Sequence, residues 1–373
     1  MIRHAVRLPL LPAGAHALTG KGWAHEFAEQ FEEAKCCYRE AALAGDVSAR
    51  TLLGMLLIGE GDFERGWKLL AERPTPTVAN MPPLWRGQSL RGRSIAVVGM
   101  EAGLGDELQF VRFVPWLKHL GARRVILMVP EPLRRLFSTV EGADSVVSVG
   151  TPDAAANGHR HFHPVVNEAR PDLHTFSVSL PHRLAVRVHS IPNAPYLHAD
   201  PGDIERWRPR LPPVGLRVGI VWRGSPGNGH DGWRSLPSLS TLAPLWEVPG
   251  VSFVSLQKGA GEDEARACPL PLTHLGSEVR DFADTAAILS QLDLLIAVDT
   301  SIVHLAGALG KPAWLLLEKV PDWRWRHPKA FERWYPSARQ FRQQAPGDWS
   351  RPVQAVAGAL TSLIQTPGRG ITL

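Results

Sequence analysis

Residues 281–318 read DFADTAAILSQLDLLIAVDTSIVHLAGALGKPAWLLLE, and this segment decides the fold class. The apolar runs at residues 294–299 and 312–318 are typical of strands that are buried on both faces of a sheet. A helical pattern begins at Ser301 between the two runs, and Asp281 begins another helix ahead of the first run. Strand and helix therefore alternate, which predicts a parallel, doubly wound sheet.

The same alternation continues on both sides of this segment. Further strands are predicted at residues 217–222 and 251–257, with a terminal helix around AVAGALTSLI. Towards the N-terminus, the strand patterns SIAVVGM, RRVILMVP and DSVVSVG are separated by helical stretches near residues 108–120 and 132–140. We therefore expect an α/β protein with two Rossmann-like domains in tandem and a ligand cleft between the carboxyl ends of their strands.

A helical segment is predicted ahead of the two domains. Phe27, Phe31, Ala34 and Tyr38 recur at helical spacing, and GEGDFERGWKLL is similar to helix-turn-helix repeats of the tetratricopeptide type. Because so short a fragment cannot bury its apolar face alone, we expect it to pack on the next domain, on a protein partner or on a second copy in a homodimer. The predicted units are the helical segment at 1–75, with a proline-rich linker at 73–92, a first Rossmann-like domain at 76–205 and a second at 206–373.

The composition limits the function classes only loosely. Of the 373 residues, 44% are hydrophobic and 21% are charged, which is typical of a globular chain of two or three units and excludes disorder of the whole chain. The net charge of +5 suits phosphates, nucleotide sugars, lipopolysaccharide or nucleic acid without choosing among them. The 3 cysteines favour a reducing compartment, and no apolar run is long enough for a membrane span. We expect a soluble cytoplasmic protein that could contact the inner membrane peripherally.

The first chemical motif is EAGLGDELQFVRFVP, in which a glycine-rich turn leads from a strand into a helix. Gly103 and Gly105 allow the backbone to pass close to a ligand, and Gln109 and Arg112 follow on the helix. Asp106 would project towards the cleft, where a carboxylate can take the proton of an attacking hydroxyl. Aspartate is also favoured as a helix cap, so catalysis and capping both remain open for this residue.

The second motif is the start of the helix after LLIAVD. Free backbone amides at a helix N-terminus form an anion site suited to a diphosphate, and the hydroxyls of Thr300 and Ser301 add donors beside Asp299. His304 lies one turn later on the same side and could contact phosphate or ribose. The alternative for His304 is a buried histidine that is hydrogen-bonded to Asp299.

Two weaker sets of residues lie at the same predicted edge of the second sheet. The glycine-rich loop after RVGIVW carries Arg223, Ser225 and Arg234, which could fold over a nucleotide diphosphate. SLQKG places Gln257 and Lys258 after the next strand, where the lysine could neutralise phosphate. A solvated surface loop is an equal alternative for the first set, because such loops favour glycine and asparagine whatever their function.

An aromatic cluster follows near the C-terminus, in DWRWRHPKAFERWYPSARQFRQ. Trp323, Trp325, Trp334 and Tyr335 could stack on sugars or bases, or they could form the packing that seats the terminal helix. The sequence does not decide between these two interpretations.

Metal binding is not predicted. His159, His161 and His163 form a histidine-rich stretch, but no carboxylate or cysteine partner lies at ligand spacing, so an exposed loop is the better interpretation. The chain also has no strand-ending Asp-x-Asp pair of the kind that holds a divalent cation on a nucleotide sugar. We therefore predict no metal and no cofactor, with leaving-group charge met by amides, hydroxyls and arginines.

Several of these segments agree, in order, with one family. EAGLGDELQFVRFVP, RLPPVGLRVGIVWRGSPGNGHDGWRSLP, SLQKG, the segment DFADTAAILSQLDLLIAVDTSIVHLAGALGKPAW and the aromatic stretch together resemble bacterial tetratricopeptide-repeat glycosyltransferases related to the ADP-heptose:lipopolysaccharide heptosyltransferases of family 9. The resemblance runs from about residue 85 to residue 343 and implies the two-domain GT-B architecture, with an acceptor domain at 76–205 and a donor domain at 206–373. It places Gly103, Gly105, Gln109 and Arg112 on the acceptor side. Two departures are Ala102, where relatives usually have glutamine, and Ser301, where heptosyltransferases usually have glycine.

The resemblance also implies residue roles and a reaction. Asp106 is similar to the proposed catalytic base of the family, residues 299–301 with His304 resemble its donor-diphosphate motif, and Arg234 lies where heptosyltransferases present a basic phosphate ligand. The implied reaction is metal-independent, inverting transfer of a sugar from a nucleotide-diphosphate donor to a hydroxyl of a glycan, lipid or protein acceptor. Nucleic acid is not an expected partner. A nucleotide-sugar epimerase of the same fold and a non-catalytic, repeat-bearing adaptor are the alternatives.

Overall fold

The computed structural model describes residues 13–73, 81–99, 103–149 and 170–365. Within these ranges the chain forms an N-terminal helical segment and two parallel β-sheets with helices packed around them. The α/β class and the doubly wound pattern predicted from the sequence are confirmed. The histidine-rich stretch at residues 159–163 lies outside the described residues.

Four helices form the N-terminal segment, and each packs on the next. The turns before the third and fourth helices contain Gly45 and Gly61 with φ angles of 94° and 95°, a conformation that glycine adopts at little cost. Asp46 and Asp62 cap these two helices by accepting from backbone amides of their first turns. The helix-turn-helix pattern is confirmed, and its assignment to the tetratricopeptide type stays a prediction. The helices are α1 Ala13–Phe27, α2 Phe31–Leu43, α3 Val47–Gly59 and α4 Phe63–Ala71.

The first sheet has four parallel strands in the order β3-β2-β1-β4. Its central strand β1 is buried along its whole length and pairs with β2 from Ser94 opposite Arg124 to Val98 opposite Met128. The strands are β1 Ser94–Val98, β2 Arg124–Val129, β3 Ser145–Ser148 and β4 Leu173–Phe176. The helices of this part are α5 Leu104–Phe110, α6 Val114–His119, α7 Glu131–Phe137, α8 Leu180–Arg183 and α9 Pro201–Trp207.

The second sheet has six parallel strands in the order β10-β9-β8-β5-β6-β7. The predicted terminal helix is confirmed and packs on β9, β10 and the 3₁₀-helix Leu239–Glu247. The strands are β5 Leu216–Val221, β6 Val251–Ser255, β7 Thr273–His274, β8 Leu294–Val298, β9 Ala313–Leu317 and β10 Ala338–Arg342. The helices are α10 Asp231–Arg234, α11 Glu262–Arg266, α12 Phe282–Leu289, α13 Ser301–Ala308, α14 Pro328–Trp334 and α15 Ser350–Gln365.

The sequence analysis missed three strands, β4, β7 and β10, and each lies at an edge of its sheet. None of them has the continuous apolar run of a buried parallel strand; β10, for example, carries the exposed residues Arg339 and Arg342. The proline-rich linker also does more than connect. Leu84 bridges to His174 of β4, and the amide of Trp85 donates to the His174 carbonyl at 2.7 Å.

The two sheet-containing halves meet where helix α5 packs against helix α13. A Cβ atom on Gly105 would lie 2.7 Å from Cδ2 of His304 and 3.5 Å from Cα of Ser301, so the absence of a side chain at residue 105 permits this close approach. A single hydrophobic core runs through the helical segment, the first sheet and one face of the second. The carboxyl ends of the central strands therefore face one another across this contact.

The helical segment is docked across both halves. Trp67 of α4 is 1% exposed, and its ring lies within 6.5 Å of the rings of Phe110, Trp323 and Trp334. Acidic residues of the segment also pair with basic ones outside it, as in Lys319 with Glu29 at 2.9 Å. Of the alternatives left open by the sequence, packing on the next domain is the one observed. No helix in the described ranges is both long and apolar enough to cross a membrane.

Candidate functional site

A pocket lies where the carboxyl ends of β1, β5, β8 and β9 converge. It encloses about 740 Å³ of space, with the open solvent at its mouth included. Four loops and one helix of the N-terminal segment line it, through Glu26, Phe27, Gly105, Asp106, Asn228, His230, Arg234, Asp299, Thr300, Ser301, His304, Glu318, Val320, Pro321, Asp322, Arg324 and Arg326. Six of the residues singled out from the sequence thus share one pocket with Asp106.

Asp106 is both a capping residue and a wall of the pocket. Its Oδ2 accepts from the backbone amide of Gly103 at 2.9 Å, which satisfies one free donor at the start of α5. Its Oδ1 accepts from the guanidinium of Arg324, a residue 218 positions away in the chain. The carboxyl group is 6% exposed and lines the pocket, so the two interpretations of Asp106 are compatible.

Arg324 is a residue of the site to which the sequence analysis gave no role of its own; it lies within the tryptophan-rich stretch DWRWRHPKAFERWYPSARQFRQ. It lies in the 3₁₀-helix Trp323–Trp325 after β9, and it donates from Nε to Gln109 at 2.5 Å and from Nη1 to Asp322 at 2.8 Å. Burial lowers the pKa of Arg324 to about 9, so the side chain stays cationic at neutral pH. No local pattern could have found the contacts of Arg324 with Asp106 and Gln109, because both of these residues lie in another domain.

The start of helix α13 presents the second set of polar groups. Thr300 is its N-cap residue in extended conformation, and Asp299, Thr300 and Ser301 all line the pocket. The hydroxyl Oγ1 of Thr300 is buried and has no hydrogen-bond partner among the described residues. A buried donor left unsatisfied is costly, so this hydroxyl and the free amides of the first turn are suited to bind a ligand oxygen.

His304 lies one turn into α13 and is buried. Its Nδ1 is 2.8 Å from the hydroxyl of Tyr335, and its ring stacks on Trp325 at 5.4 Å. The hydrogen bond to Asp299 considered from the sequence is thus not the one observed. Burial lowers the pKa of His304 to about 4, so the imidazole is neutral at pH 7 and offers a ligand a hydrogen bond rather than a charge.

Arg234 brings positive charge to the same pocket. It is 7% exposed, its Nη2 has no hydrogen-bond partner among the described residues, and its Nε is 3.4 Å from Asp231. Asn228 and His230 of the same loop also line the pocket. Ser225 is exposed, and Arg223 pairs with Glu264 at 3.2 Å and lines a neighbouring groove instead. The loop therefore divides its predicted residues between two surfaces.

Gln257 and Lys258 lie outside the pocket lining. The Gln257 side chain accepts from the amides of Trp222 and Arg223 and donates to two carbonyls, so it ties together the ends of β5 and β6. The ammonium group of Lys258 donates to the carbonyl of Val279 at 2.6 Å. Both side chains hold loops in place in this structure.

The predicted acceptor-side residues have different surroundings. Gly105 lines the pocket, whereas Gly103 supplies the amide that Asp106 accepts. Gln109 is fully buried against Arg324. Arg112 donates to Tyr196 at 2.8 Å and to the carbonyls of residues 192 and 334, so it joins the two halves behind the pocket.

Comparisons with known proteins can now be set beside this geometry. No protein-family model matches the chain. A family 9 glycosyltransferase from Veillonella parvula superposes with a TM-score of 0.57 at 12% identity, over 76% of this chain and all of that one. The ADP-heptose LPS heptosyltransferase II of E. coli superposes with a TM-score of 0.52 at 14% identity, over 73% of this chain and all of that one. The chain has the GT-B fold.

A curated relative is similar in sequence. Protein FlbA of Caulobacter vibrioides is 27% identical over 337 residues, which cover 82% of this chain and 53% of FlbA. The chain spans about half the length of this relative.

The helical segment adds a wall to the GT-B cleft that the sequence analysis did not foresee. Glu26 and Phe27, at the end of α1, line the pocket. The rings of Trp23 and Phe27 lie 4.9 Å and 6.1 Å from the ring of His230, in the loop that carries Arg234. Glu26 accepts from Tyr38 at 2.7 Å and pairs with Arg326. The segment therefore supports the glycine-rich loop from outside the two GT-B domains.

The aromatic cluster is packing in this GT-B structure. Trp323, Trp325, Trp334 and Tyr335 are at most 2% exposed, and they seat the helical segment and α13 rather than the terminal helix. A Cβ atom on Gly307 of α13 would lie 1.9 Å from the Tyr335 ring, so the helix passes directly over it. Among the described residues, no group of three histidine, cysteine or acidic side chains is arranged to hold a metal.

Proposed function

We propose that this chain is a glycosyltransferase that moves a sugar from a nucleotide-diphosphate donor to an acceptor hydroxyl by metal-independent, inverting displacement. The observation that carries the proposal is the pocket itself. It unites the carboxylate of Asp106 from one domain with the start of helix α13 and Arg234 from the other. A general base and an anion site that face each other across a cleft are what a single displacement needs.

The donor diphosphate would bind at the start of α13. Two buried groups there, Thr300 Oγ1 and Arg234 Nη2, have no hydrogen-bond partner among the described residues, and phosphate oxygens would satisfy both. The amides of the first helical turn add further donors. Neutral His304 would contribute a hydrogen bond, while Arg234 supplies the positive charge.

The chemistry then takes one step. Asp106 accepts the proton of the acceptor hydroxyl as its oxygen forms a bond to the anomeric carbon. The bond from that carbon to the β-phosphate oxygen breaks, and the nucleotide diphosphate leaves with the electron pair. Attack from the face opposite the leaving group inverts the anomeric configuration. The charge that develops on the leaving oxygen would be stabilised by Arg234, Thr300 and the helix amides, without a metal ion.

The neighbours in structure suggest which donors to try. One of them is named as an ADP-heptose heptosyltransferase, so ADP-heptose belongs in the panel beside UDP-, GDP- and dTDP-linked sugars. The acceptor hydroxyl could belong to a glycan, a lipid or a protein. We propose that the helical segment also binds a protein partner or a second copy of the chain. We propose a cytoplasmic location for the reaction.

The proposal is tested first by ligand-induced thermal stabilisation of the purified protein. Binding at a hundredfold excess over the dissociation constant stabilises the folded state by about 2.7 kcal/mol, so a selective rise in the melting temperature identifies the donor nucleotide. Replacing Thr300 and His304 together by alanine should abolish that rise. A stable, folded protein that responds to no nucleotide would point to the adaptor alternative.

Transfer is then measured as release of nucleotide diphosphate with and without acceptor. Asp106→Asn keeps a good capping side chain but removes the base, so transfer should fall by about 10²–10⁴-fold while donor stabilisation persists. The matched control is Asp200→Asn, because Asp200 caps α9 at an exposed site and the variant should transfer normally. Full transfer by Asp106→Asn would refute the base. Conversion of donor alone would indicate an epimerase.

A further inference from the structure

Arg324 connects the two domains at the carboxylate of Asp106. Its guanidinium makes three hydrogen bonds, one from each nitrogen, to Gln109, Asp322 and Asp106. Asp106 and Gln109 are three residues apart on α5, so they present their side chains to Arg324 from the same face of that helix. The arginine comes from the loop after β9 of the second sheet. A single buried side chain therefore fastens one domain to the active-site helix of the other.

The surroundings of Arg324 favour an arginine over a lysine at this position. The side chains of Arg324 and Asp106 are 8% and 7% exposed, and burying an arginine costs several kcal/mol unless its hydrogen bonds are satisfied. Two carboxylates and one amide oxygen satisfy it here, and the guanidinium lies 4.2 Å above the ring of Trp323. A lysine has three donors but no planar fork, so it would not reproduce all three contacts.

The contact also fixes how Asp106 is presented to the pocket. The amide of Gly103 holds Oδ2 and Arg324 holds Oδ1, so both oxygens of the carboxylate have a defined direction. Each carboxylate oxygen has two lone-pair sites, which leaves one on each oxygen for an acceptor hydroxyl.

We propose that Arg324 is the positioning residue of the base, and that it holds the Asp106 carboxylate in its catalytic orientation only while the two domains are in contact. This inference rests on the proposed function. It implies that opening the cleft withdraws the guanidinium and disassembles the base, so an open enzyme that holds a donor does not transfer its sugar. Domain closure and proton acceptance are thereby coupled through one side chain.

Other charged groups face the same pocket and must be considered in any pH experiment. They are Glu26 on α1, Arg234 on α10, Asp299 before α13, Glu318 after β9, and Asp322 and Arg326 around the Arg324 turn. His304 packs against α5 at Gly105 and takes up a proton only at about pH 4. Within the described residues, none of these groups is hydrogen-bonded to Asp106, whereas Arg324 is.

The first test follows protonation of the Asp106 carboxyl by carbon-detected NMR, with the signal assigned by its loss in Asp106→Asn. Arg324→Gln should raise the pH of half-protonation by about one unit or more, because the favourable charge is gone, and Arg324→Lys should restore most of the difference. Arg333→Gln is the matched control. Arg333 also bridges the domains, with 3.0 Å bonds to the carbonyls of residues 189 and 191, but it does not line the pocket. An unchanged titration in folded Arg324→Gln would overturn the proposal.

The second test is a double-mutant cycle on transfer. Arg324→Gln should lower kcat by about 10–100-fold with little change in the donor KM, because displacing a catalytic group by about 1 Å costs up to a hundredfold. The same substitution in an Asp106→Asn background should cause no further loss. Equal losses in both backgrounds would show that Arg324 acts independently of Asp106. If the wild-type protein transfers nothing from any donor, the proposed function fails, while the NMR titration still decides on Arg324.

Discussion

Asp284 is the centre of an ionic cluster that joins three parts of the chain, and its removal should be costly. Its side chain is fully buried at the first turn of α12, where three arginines converge on it. Arg206 of α9 donates at 2.5 Å, Arg280 at 2.9 Å and Arg135 of α7 at 3.3 Å. We predict that Asp284→Asn destabilises the folded state, because an amide can neither neutralise these arginines nor accept all their bonds.

The expected magnitude follows from the exposure of the partners. Breaking a buried ion pair by removing one partner costs about 3–5 kcal/mol. The side chains of Arg135, Arg206 and Arg280 are 36%, 42% and 64% exposed, so water can solvate them after the substitution. We therefore expect a loss of about 3 kcal/mol at pH 7, at the lower end of that range. Burial alone would raise the pKa of Asp284, but hydrogen bonds from Arg280 and Arg206 lower it well below its ordinary value.

Urea unfolding followed by tryptophan fluorescence measures the difference between wild type and Asp284→Asn. Because the folded-state pKa is lowered, the contribution of Asp284 is complete above pH ~5, declines below the unfolded-state pKa of about 4, and is lost as the pH falls through the folded pKa. The difference should thus be constant from pH 8 to pH 5 and shrink at pH 3.5. Asp263→Asn, at a side chain 99% exposed, should match wild type. A negligible difference at pH 7, or the same difference at pH 3.5, would refute the reasoning.

Two further predictions concern packing. Trp67→Ala should lower the free energy of unfolding by about 3–5 kcal/mol in denaturant titrations, because a 1% exposed ring that docks the helical segment leaves a cavity, whereas Leu43→Ala at an 89% exposed site should have no effect. Gly105→Ala should destabilise by about 1–3 kcal/mol and weaken nucleotide binding, since its Cβ would meet His304 at 2.7 Å and separate α5 from α13. Gly358→Ala on α15, with nothing within 4 Å, should instead be neutral or stabilising. A Gly105→Ala protein with wild-type stability and donor binding would contradict the close-approach argument.

The central strands could be predicted from the sequence because each is an uninterrupted apolar run. In β8, every residue of LLIAV is buried, and so short an apolar run between two helical patterns is typical of a buried parallel strand. The edge strands β4 and β10 could not be predicted, because LHTF of β4 and ARQFR of β10 mix polar and apolar residues as loops do. Their existence depends on the neighbouring strand offering its hydrogen bonds, and that is a tertiary contact.

The candidate site likewise contains residues that could be predicted from the sequence and residues that could not. Asp106, Thr300 and His304 follow strands directly, and since parallel strands share one carboxyl edge, their meeting in a pocket follows from topology. Gln257 also follows a strand, yet its side chain accepts hydrogen bonds from the backbone of Trp222 and Arg223, which no spacing rule indicates. Arg324 lies in a stretch that contains several tryptophans and arginines. Nothing in the sequence distinguishes the arginine that contacts the other domain from the arginines beside it.

The helical segment contacts the loop that carries Arg234. Trp23 and Phe27 of α1 contact His230, which lies in the same loop as Arg234, and Phe27 also contacts Trp233 with ring centres 5.1 Å apart. Residues 225–227 of this loop are exposed, so they do not hold the loop against the rest of the protein. Whatever displaces α1 would therefore release the loop that holds the unpartnered guanidinium nitrogen of Arg234 in the pocket. We therefore predict that a partner that displaces α1 weakens the nucleotide binding proposed above, because the loop then loses its contacts with Trp23 and Phe27.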